Sequence, residues 1–565
     1  MPDMDLRLGR FAVVAAVVGA LCAMPVASVL VNLLAEGTPG AWEHLAQTVL
    51  PAYAANTLWL LTGVGIGVVV VGVTTAWLTT MHEFPGRRAF EWGLILPLAM
   101  PAYVIAFVYT DLLQFAGPVQ SWLRAAMGWS KGDYWFPDVR SLGGATAMFV
   151  LVLYPYVYLL ARAAFLERSA SLLEAGRTLG VGSRGVFFRI AIPLARPAVA
   201  AGTALALMET IADFGTVSYF GVQTFTTGIY QAWFSMGDRI VAAQLAASLL
   251  GFVLLVVLVE RASRGRRRYH ETTQRTRPQS RQRLSGAPAL AAIAACALPL
   301  LLGFLLPAVL LLDLAIGGGD VQFGARFVHL ALNSATLAAV TSALLVGLAL
   351  LMAYHARLHP GWLGLGLNRV VSLGYAVPGL VIAVGVLIPL ARFDNALDAW
   401  MRSTFGLSTG LLLTGSIAAL VYAYVVRFFS IALQTVESSL IKIRPSMDDA
   451  ARSLGCGPGD ALLRVHVPMM ARGLFTAALL VFVEVMKELP ATLVMRPFNF
   501  DTLATQVYAL AHDERLAEAS TAALAIVAAG LVPLIVLSRN IATSRRAVPT
   551  ERVSDAATAP QALRP

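Results

Sequence analysis

Four carboxylates lie where a carboxylate is costly. Glu209 and Asp213 fall in one long apolar segment, Glu484 and Glu488 in another, and in each the acids are four residues apart. That spacing puts both members of a pair on one helical face. A charged group inside a membrane span costs about 2.5–3.5 kcal/mol on insertion scales, so such residues are functional candidates. Gly215 follows the first pair and Pro490 the second, residue types that loosen a helix at the same depth. Lys487 accompanies only the second pair and can partly neutralise it. Two readings stay open: the acids line a pathway, or they pair structurally with other helices. Asp111 and Asp313 fall near segment ends and take no role.

A polar loop occurs twice. It runs from Glu174 to Pro197 and again from Asp449, at a constant offset of 275 residues. Glu174 matches Asp449, Ala175 matches Ala450, Arg177 matches Arg452, Gly180 matches Gly455, Arg189 matches Arg464 and Pro193 matches Pro468. The pattern predicts a short helix over Arg168–Leu179, broken by Gly180 and Gly182. Ser183 can cap a second helix, Arg184–Ile190. Phe187, Phe188 and Ile190 give it an apolar side, and Pro193 ends it. In the second copy Pro458 suits a first helical position, with Leu462, Leu463 and Val465 on the apolar side. Two short amphipathic helices can lie on a bilayer or fit a partner's groove. Surface-lying alone does not require this spacing twice, which favours a docking element.

These residues need a membrane scaffold. The chain is 58% hydrophobic and only 13% charged, with mean hydropathy +0.72, where soluble domains carry about 25% charged residues. The pattern predicts an all-α polytopic membrane protein with twelve spans in two sets of six. The first set is Phe11–Leu34, Asn56–Thr79, Trp92–Phe115, Leu142–Ala164, Ala198–Phe220 and Ile240–Glu260. The second is Ala289–Ile316, Ala331–Tyr354, Asn368–Leu390, Thr409–Leu433, Gly473–Met495 and Ser520–Arg539. The first apolar segment is long enough to span and is read as a retained helix.

The halves match elsewhere. Asn56-Thr57 pairs with Asn333-Ser334, MPAYVIAF from Met100 with VPGLVIAV from Val377, and LYPY from Leu153 with VYAY from Val421. Six helices in each half make a parallel repeat, with a pathway expected between the halves. The linker Arg261–Pro288 holds nine arginines and one acid, Glu271. Placing it in the cytoplasm puts both termini and both loops there too. Arg124, Lys131 and Arg140 in an outer loop soften that bias. The linker reads as a solvated tether beside anionic lipid headgroups. The net charge of +10 lies mostly in short loops, a topology pattern and not a nucleic-acid footprint. Three cysteines, Cys22, Cys296 and Cys456, allow neither a disulfide framework nor a metal-ligand spacing.

The repeated loop resembles the EAA motif of permease subunits of type I ABC importers. Glu174, Ala175, Gly180, Phe187, Ile190 and Pro193 fit that pattern, with Gly176 in place of its middle alanine. Asp449, Ala450, Ala451, Gly455, Val465 and Pro468 fit it again, with Asp for Glu and Leu462 for the aromatic. The resemblance covers roughly Asn56 to Arg539, as two fused permease units, and implies the type I importer transmembrane fold. Its expected divisions are a first helix and outer loop (1–51), a first permease domain (52–260), a basic linker (261–288), a seventh helix and outer loop (289–328), a second permease domain (329–540) and a tail (541–565). It implies that each loop couples to an ATPase subunit. The expected partners are two copies of an ABC ATP-binding subunit and a periplasmic substrate-binding protein, at a bacterial inner membrane. This chain is expected to bind no cofactor and to catalyse nothing, ATP and Mg belonging to the partner ATPase.

Two further patterns are decoys. Gly180, Gly182 and Gly185 spell GxGxxG, but no strand precedes them and the second copy has Asp460 at the third position. None of the three lysines, Lys131, Lys442 and Lys487, stands in a phosphate-binding loop. Glycines from Gly63 lie inside a span and read as a close-packing face.

The segments METIADFGTVSYFG from Met208 and EVMKELPATLVMRPFNF from Glu484 resemble fused ferric-iron permeases. Ferric ion is a hard cation suited to carboxylate oxygen, so the four acids are compatible with passing it. Permeases of the same general form carry thiamine, polyamines, sulfate or phosphonates. From another class, an ion-coupled secondary transporter also uses repeats and midplane acids but gives no reason for two such loops. A membrane scaffold without transport leaves the matched acids unexplained.

Overall fold

The computed structural model describes residues 2–167 except 36 and 38, residue 182, and residues 185–264, 281–317, 324–359 and 361–546. Twelve helices among them are long and apolar enough to cross a membrane. In chain order they are Phe11–Asn32, Leu50–Met81, Ala102–Met127, Leu142–Leu166, Val186–Ala212, Arg239–Ser263, Ala287–Gly317, Ala325–Leu358, Gly379–Phe405, Ile417–Leu440, Pro458–Met486 and Leu516–Ile535. We number these spans 1 to 12.

Span 3 starts ten residues later than the hydropathy pattern predicts. A helix Arg87–Gly93 and a 3-10 turn Leu96–Ala99 come first, then extended Met100 and Pro101, then the helix from Ala102. Pro97 and Pro101 supply no backbone N–H and stop one continuous helix. The second half repeats this order with Trp362–Ser372, Leu373–Ala376, extended Val377 and Pro378, and span 9 from Gly379. The matched MPAY and VPGL segments are therefore matched kinks.

Each half lends its first span to the other. Span 1 packs on span 9 and on Trp362–Ser372. A Cβ at Gly385 would sit 2.3 Å from the Pro25 carbonyl oxygen, so that glycine lets the backbones touch. The Tyr422 hydroxyl donates to the Leu21 carbonyl at 2.6 Å. Span 7 mirrors this in the first half. A Cβ at Gly303 would meet the Leu151 carbonyl oxygen at 2.6 Å, and Tyr109 donates to the Leu302 carbonyl at 2.8 Å. The Gly63 segment is a packing face as predicted: Cβ atoms at Gly63 and Gly67 would meet Thr146 at 2.8 Å and Val150 at 2.4 Å on span 4.

Spans 5 and 11 break just where the acids lie. Span 5 is helical to Ala212, then yields to a five-residue helix, Gly215–Tyr219. Span 11 is helical to Met486, then yields to Pro490–Met495. The sequence pattern runs each of these as one span, to Phe220 and to Met495. Each break is followed by a helix that the apolar pattern does not predict, Phe225–Phe234 and Leu503–His512. Both open on a reciprocal capping box, Thr224 with Thr227 and Thr502 with Thr505. The matched asparagines hold these segments in register. Asn56 donates to the Gln223 carbonyl at 2.9 Å and Asn333 to the Asp501 carbonyl at 3.0 Å.

The described end of the linker is not a free tether. Gln282–Arg283 pairs in parallel with His82–Glu83. Arg281 lies 3.8 Å from the Glu83 carboxylate and donates to the Thr80 carbonyl at 3.3 Å.

Candidate translocation site

All four predicted acids open into one cavity of about 100 Å³. Its wall draws on both halves: Pro101 and Tyr103 at the first kink, Tyr156 on span 4, Glu209 and Asp213 at the first break, Arg427 and Phe428 on span 10, and Glu484, Lys487 and Glu488 at the second break. Gly215 is where the halves meet, since a Cβ there would lie 2.8 Å from both Leu489 and Tyr103.

The acids divide by position. Asp213 and Glu488 hold the broken helices. The Asp213 carboxylate accepts from the Thr216 and Val217 backbone N–H groups at 2.9 and 3.4 Å, and from the Thr216 hydroxyl at 3.1 Å. The Glu488 carboxylate accepts from the equivalent N–H groups of Ala491 and Thr492 at 3.0 and 3.1 Å, and from the Thr492 hydroxyl at 2.8 Å. Each replaces the carbonyl acceptors lost where its span stops, and its charge suits a helix N-terminus. Glu209 and Glu484 sit one turn earlier. Glu209 accepts from the Tyr375 hydroxyl at 2.7 Å, and Glu484 pairs with Lys487 at 2.9 Å. The cavity thus gathers four carboxylates against two cations, Lys487 and Arg427. Among the described residues no three His, Cys, Asp or Glu side chains converge to hold a metal ion.

Arg427 and Tyr103 are site residues that sequence reasoning missed. Arg427 lies 4.0 Å from Glu488, and its Nη1 is buried without a partner among the described residues. Tyr103 is 4% exposed and its hydroxyl is likewise unpartnered. A lone arginine inside an apolar run, VYAYVVRFF, is the signal that could have found the first. An apolar kink gives no signal for the second.

The repeated loops lie at the other ends of spans 5 and 11. Sixteen residues separate Pro193 from Glu209 and Pro468 from Glu484, about 24 Å of helix. Glu174, Ala175, Gly180 and Ser183 lie outside the described residues. So does the predicted helix Arg168–Leu179. The second copy is described throughout. Pro445–Ser453 is helical, Gly455 turns the chain at φ +83°, and Pro458 opens the next helix at its first position. Asp449, Ala450 and Gly455 are exposed, and Val465 is half-buried.

Pro193 does not end its helix, contrary to expectation. A π-helical turn, Val186–Ala191, opens span 5 and runs straight into its α-helix, and Leu462–His466 does the same within span 11. The wider π turn accommodates the missing proline N–H, so the chain continues through Pro193 and Pro468. The apolar side also differs in detail. Leu462 is buried and Phe187 half-buried against Trp77, with ring centroids 4.9 Å apart, whereas Phe188 and Leu463 point outward at 64% and 67% exposure. Ile190 and Val465 are half-buried.

A family profile, that of the binding-protein-dependent transport system inner membrane component, matches residues 68–268 and again residues 345–546. The chain belongs to that family. It is a fused two-domain permease, a multi-pass inner membrane protein built as the transport component of an ABC importer. It is 26% identical to the Fe(3+)-transport system permease protein FbpB 2 of Haemophilus influenzae, over 92% of this chain and 96% of that one. It is 24% identical to the probable ABC transporter permease protein y4fN of Sinorhizobium fredii, over 87% of each. A third of the chain, 33%, is 26% identical to 82% of the molybdenum transport system permease protein ModB of Escherichia coli.

The two helix-holding acids of this permease should differ in weight. Glu488 is 5% exposed and has Arg427 beside it, so Glu488→Ala strands a buried guanidinium and should cost about 3–5 kcal/mol. Asp213 has no cation partner among the described residues, so Asp213→Ala should cost only about 1–3 kcal/mol in lost hydrogen bonds. Thermal melting of the purified permease in detergent measures both. Equal losses would mean that Arg427 does not depend on Glu488.

Proposed function

We propose that this permease passes ferric iron, delivered by a periplasmic binding protein and driven by ATP hydrolysis in a separate ATPase bound at both loops. The observation that carries the reading is the excess of carboxylates in a cavity lined by both halves. A hard trivalent cation is stabilised by such a wall, and oxygen ligands suit it. A relative of nearly equal length is named for Fe(3+) transport, which points the same way. Glu209, Asp213, Glu484 and Glu488 are the residues of the pathway. Glu174, Ala175, Gly180, Phe187, Ile190 and Pro193, with Asp449, Ala450, Gly455, Val465 and Pro468, are the coupling positions.

In this scheme the linker, both termini and both loops face the cytoplasm. Substrate reaches the cavity from the opposite side. ATP with Mg closes two copies of the ATPase, which push on the docked loops. Spans 5 and 11 carry that displacement to the acids at their far ends, and the halves switch access. This chain itself binds no cofactor.

A second reading, an oxyanion such as sulfate, phosphonate or molybdate, is favoured by Arg427 and Tyr103, which line the same cavity and have buried donors without a partner among the described residues. Thiamine and polyamines are the remaining alternatives. Uptake of labelled ferric iron, thiamine and sulfate by cells lacking this chain separates them. Loss of iron uptake alone, restored by the intact chain, is the expected result. Unchanged iron uptake in cells with no second ferric route would discard iron and leave the importer architecture standing.

A further inference from the structure

The second docking loop is fastened to its spans by a charged side-chain cluster whose three positions hold no ionisable residue in the first half. Arg357, at the end of span 8, donates from Nε and Nη2 to Asp448 Oδ2 at 2.9 and 2.6 Å. Asp448 lies in the first turn of the loop helix Pro445–Ser453. The same guanidinium donates to the Leu440 carbonyl, at the end of span 10, and to the Ile443 carbonyl, both at 2.9 Å. The other Asp448 oxygen meets His466 Nε2 at 2.6 Å. His466 is wholly buried in the π turn within span 11. Tyr354 packs on the His466 ring at 5.3 Å and donates to the Pro458 carbonyl at 3.0 Å, holding the second loop helix to span 8 as well. Asp448 and Arg357 together therefore join the loop to spans 8, 10 and 11.

The repeat offsets place Thr80, Leu173 and Ala191 at the positions of Arg357, Asp448 and His466. None of these can ionise, so the first half cannot build the same cluster. Paired charges with several hydrogen bonds each, mostly removed from water, resist separation far better than exposed pairs. His466 stands 18 residues before Glu484 on one helix, a rigid arm of about 27 Å.

We propose that Arg357, Asp448 and His466 are positioning residues that make the second loop one rigid body with span 11, so that the two docking loops are not interchangeable and the second one delivers the displacement that opens the cavity. The proposal rests on the reading of the loops as ATPase docking elements. Loosening the cluster lets the loop move with the ATPase while span 11 stays behind. ATP is then hydrolysed without a matching passage of substrate.

The test uses the full transporter, this chain with its ATPase and binding protein, in proteoliposomes, measuring ATP hydrolysed per labelled ferric ion moved. Asp448→Asn and His466→Leu should raise that ratio about tenfold, within the usual range of coupling between sites, while ATPase capture by the chain is retained. His466→Gln keeps an N–H donor for Asp448 and should restore the ratio. A purely structural role would lower assembled complex and both rates together, leaving the ratio unchanged. An unchanged ratio in both disruptive variants overturns the clamp, and so does a His466→Gln variant no better than His466→Leu. Failure of the intact chain to capture the ATPase would instead overturn the docking reading beneath it.

Discussion

Cells carrying the double substitution Glu209→Gln and Glu484→Gln should hold the permease in the membrane at its normal level and lose at least about nine-tenths of their uptake. Glutamine keeps the size of each side chain and still accepts from the Tyr375 hydroxyl that now serves Glu209. What changes is charge. The cavity goes from four carboxylates against two cations to two against two. The two that remain, Asp213 and Glu488, are already engaged at helix ends. A unit charge about 4 Å from a cation contributes about 4 kcal/mol at an effective dielectric of 20, and a trivalent ion feels more. Uptake is measured with the labelled substrate, membrane level by immunoblot. Full uptake by the double variant would take these acids out of the pathway.

The second large effect is at the loop turn. Gly455 has φ +83°, and a Cβ there would meet nothing within 4 Å, so the cost of a side chain is backbone strain alone. Left-handed backbone costs an ordinary residue about 1–2 kcal/mol, while asparagine tolerates it. Gly455→Val should let the turn relax and tilt the helix Pro445–Ser453, moving Leu454, which is 82% exposed, off the docking face. Capture of the ATPase subunit by the purified variant should weaken about 5- to 30-fold, the range that this strain implies, with insertion unchanged. Gly455→Asn should stay near normal. Equal capture by all three forms would mean that the turn does not shape the docking surface.

The sequence carried the membrane architecture because apolar runs of span length have few alternative readings. It carried a loosening at Gly215 and Pro490 but not the full breaks after Ala212 and Met486, because the apolar pattern runs on to Phe220 and Met495. It did not carry the helices Phe225–Phe234 and Leu503–His512, which are too short to span and lie between the apolar runs. Their capping boxes, Thr224 with Thr227 and Thr502 with Thr505, were the available sign. The exchange of spans 1 and 7 between halves was not legible, because a helix apolar all round does not say which neighbour it meets. Pro193 misled because a proline stops a helix only if no wider turn absorbs it. Within the loop, the family motif drew attention to Asp449, which is exposed and pairs with Arg452 three residues on. Asp448 beside it is the residue that ties the loop to the spans.

The most direct test of the account is uptake of labelled ferric iron into proteoliposomes holding this chain and an ABC ATPase subunit, with binding protein outside and ATP inside. The account predicts uptake that needs all three components and ATP, and that persists when ion gradients are collapsed. Uptake that runs without ATP and stops when a proton or sodium gradient is collapsed would contradict it, and would make the acid-lined cavity that of an ion-coupled carrier.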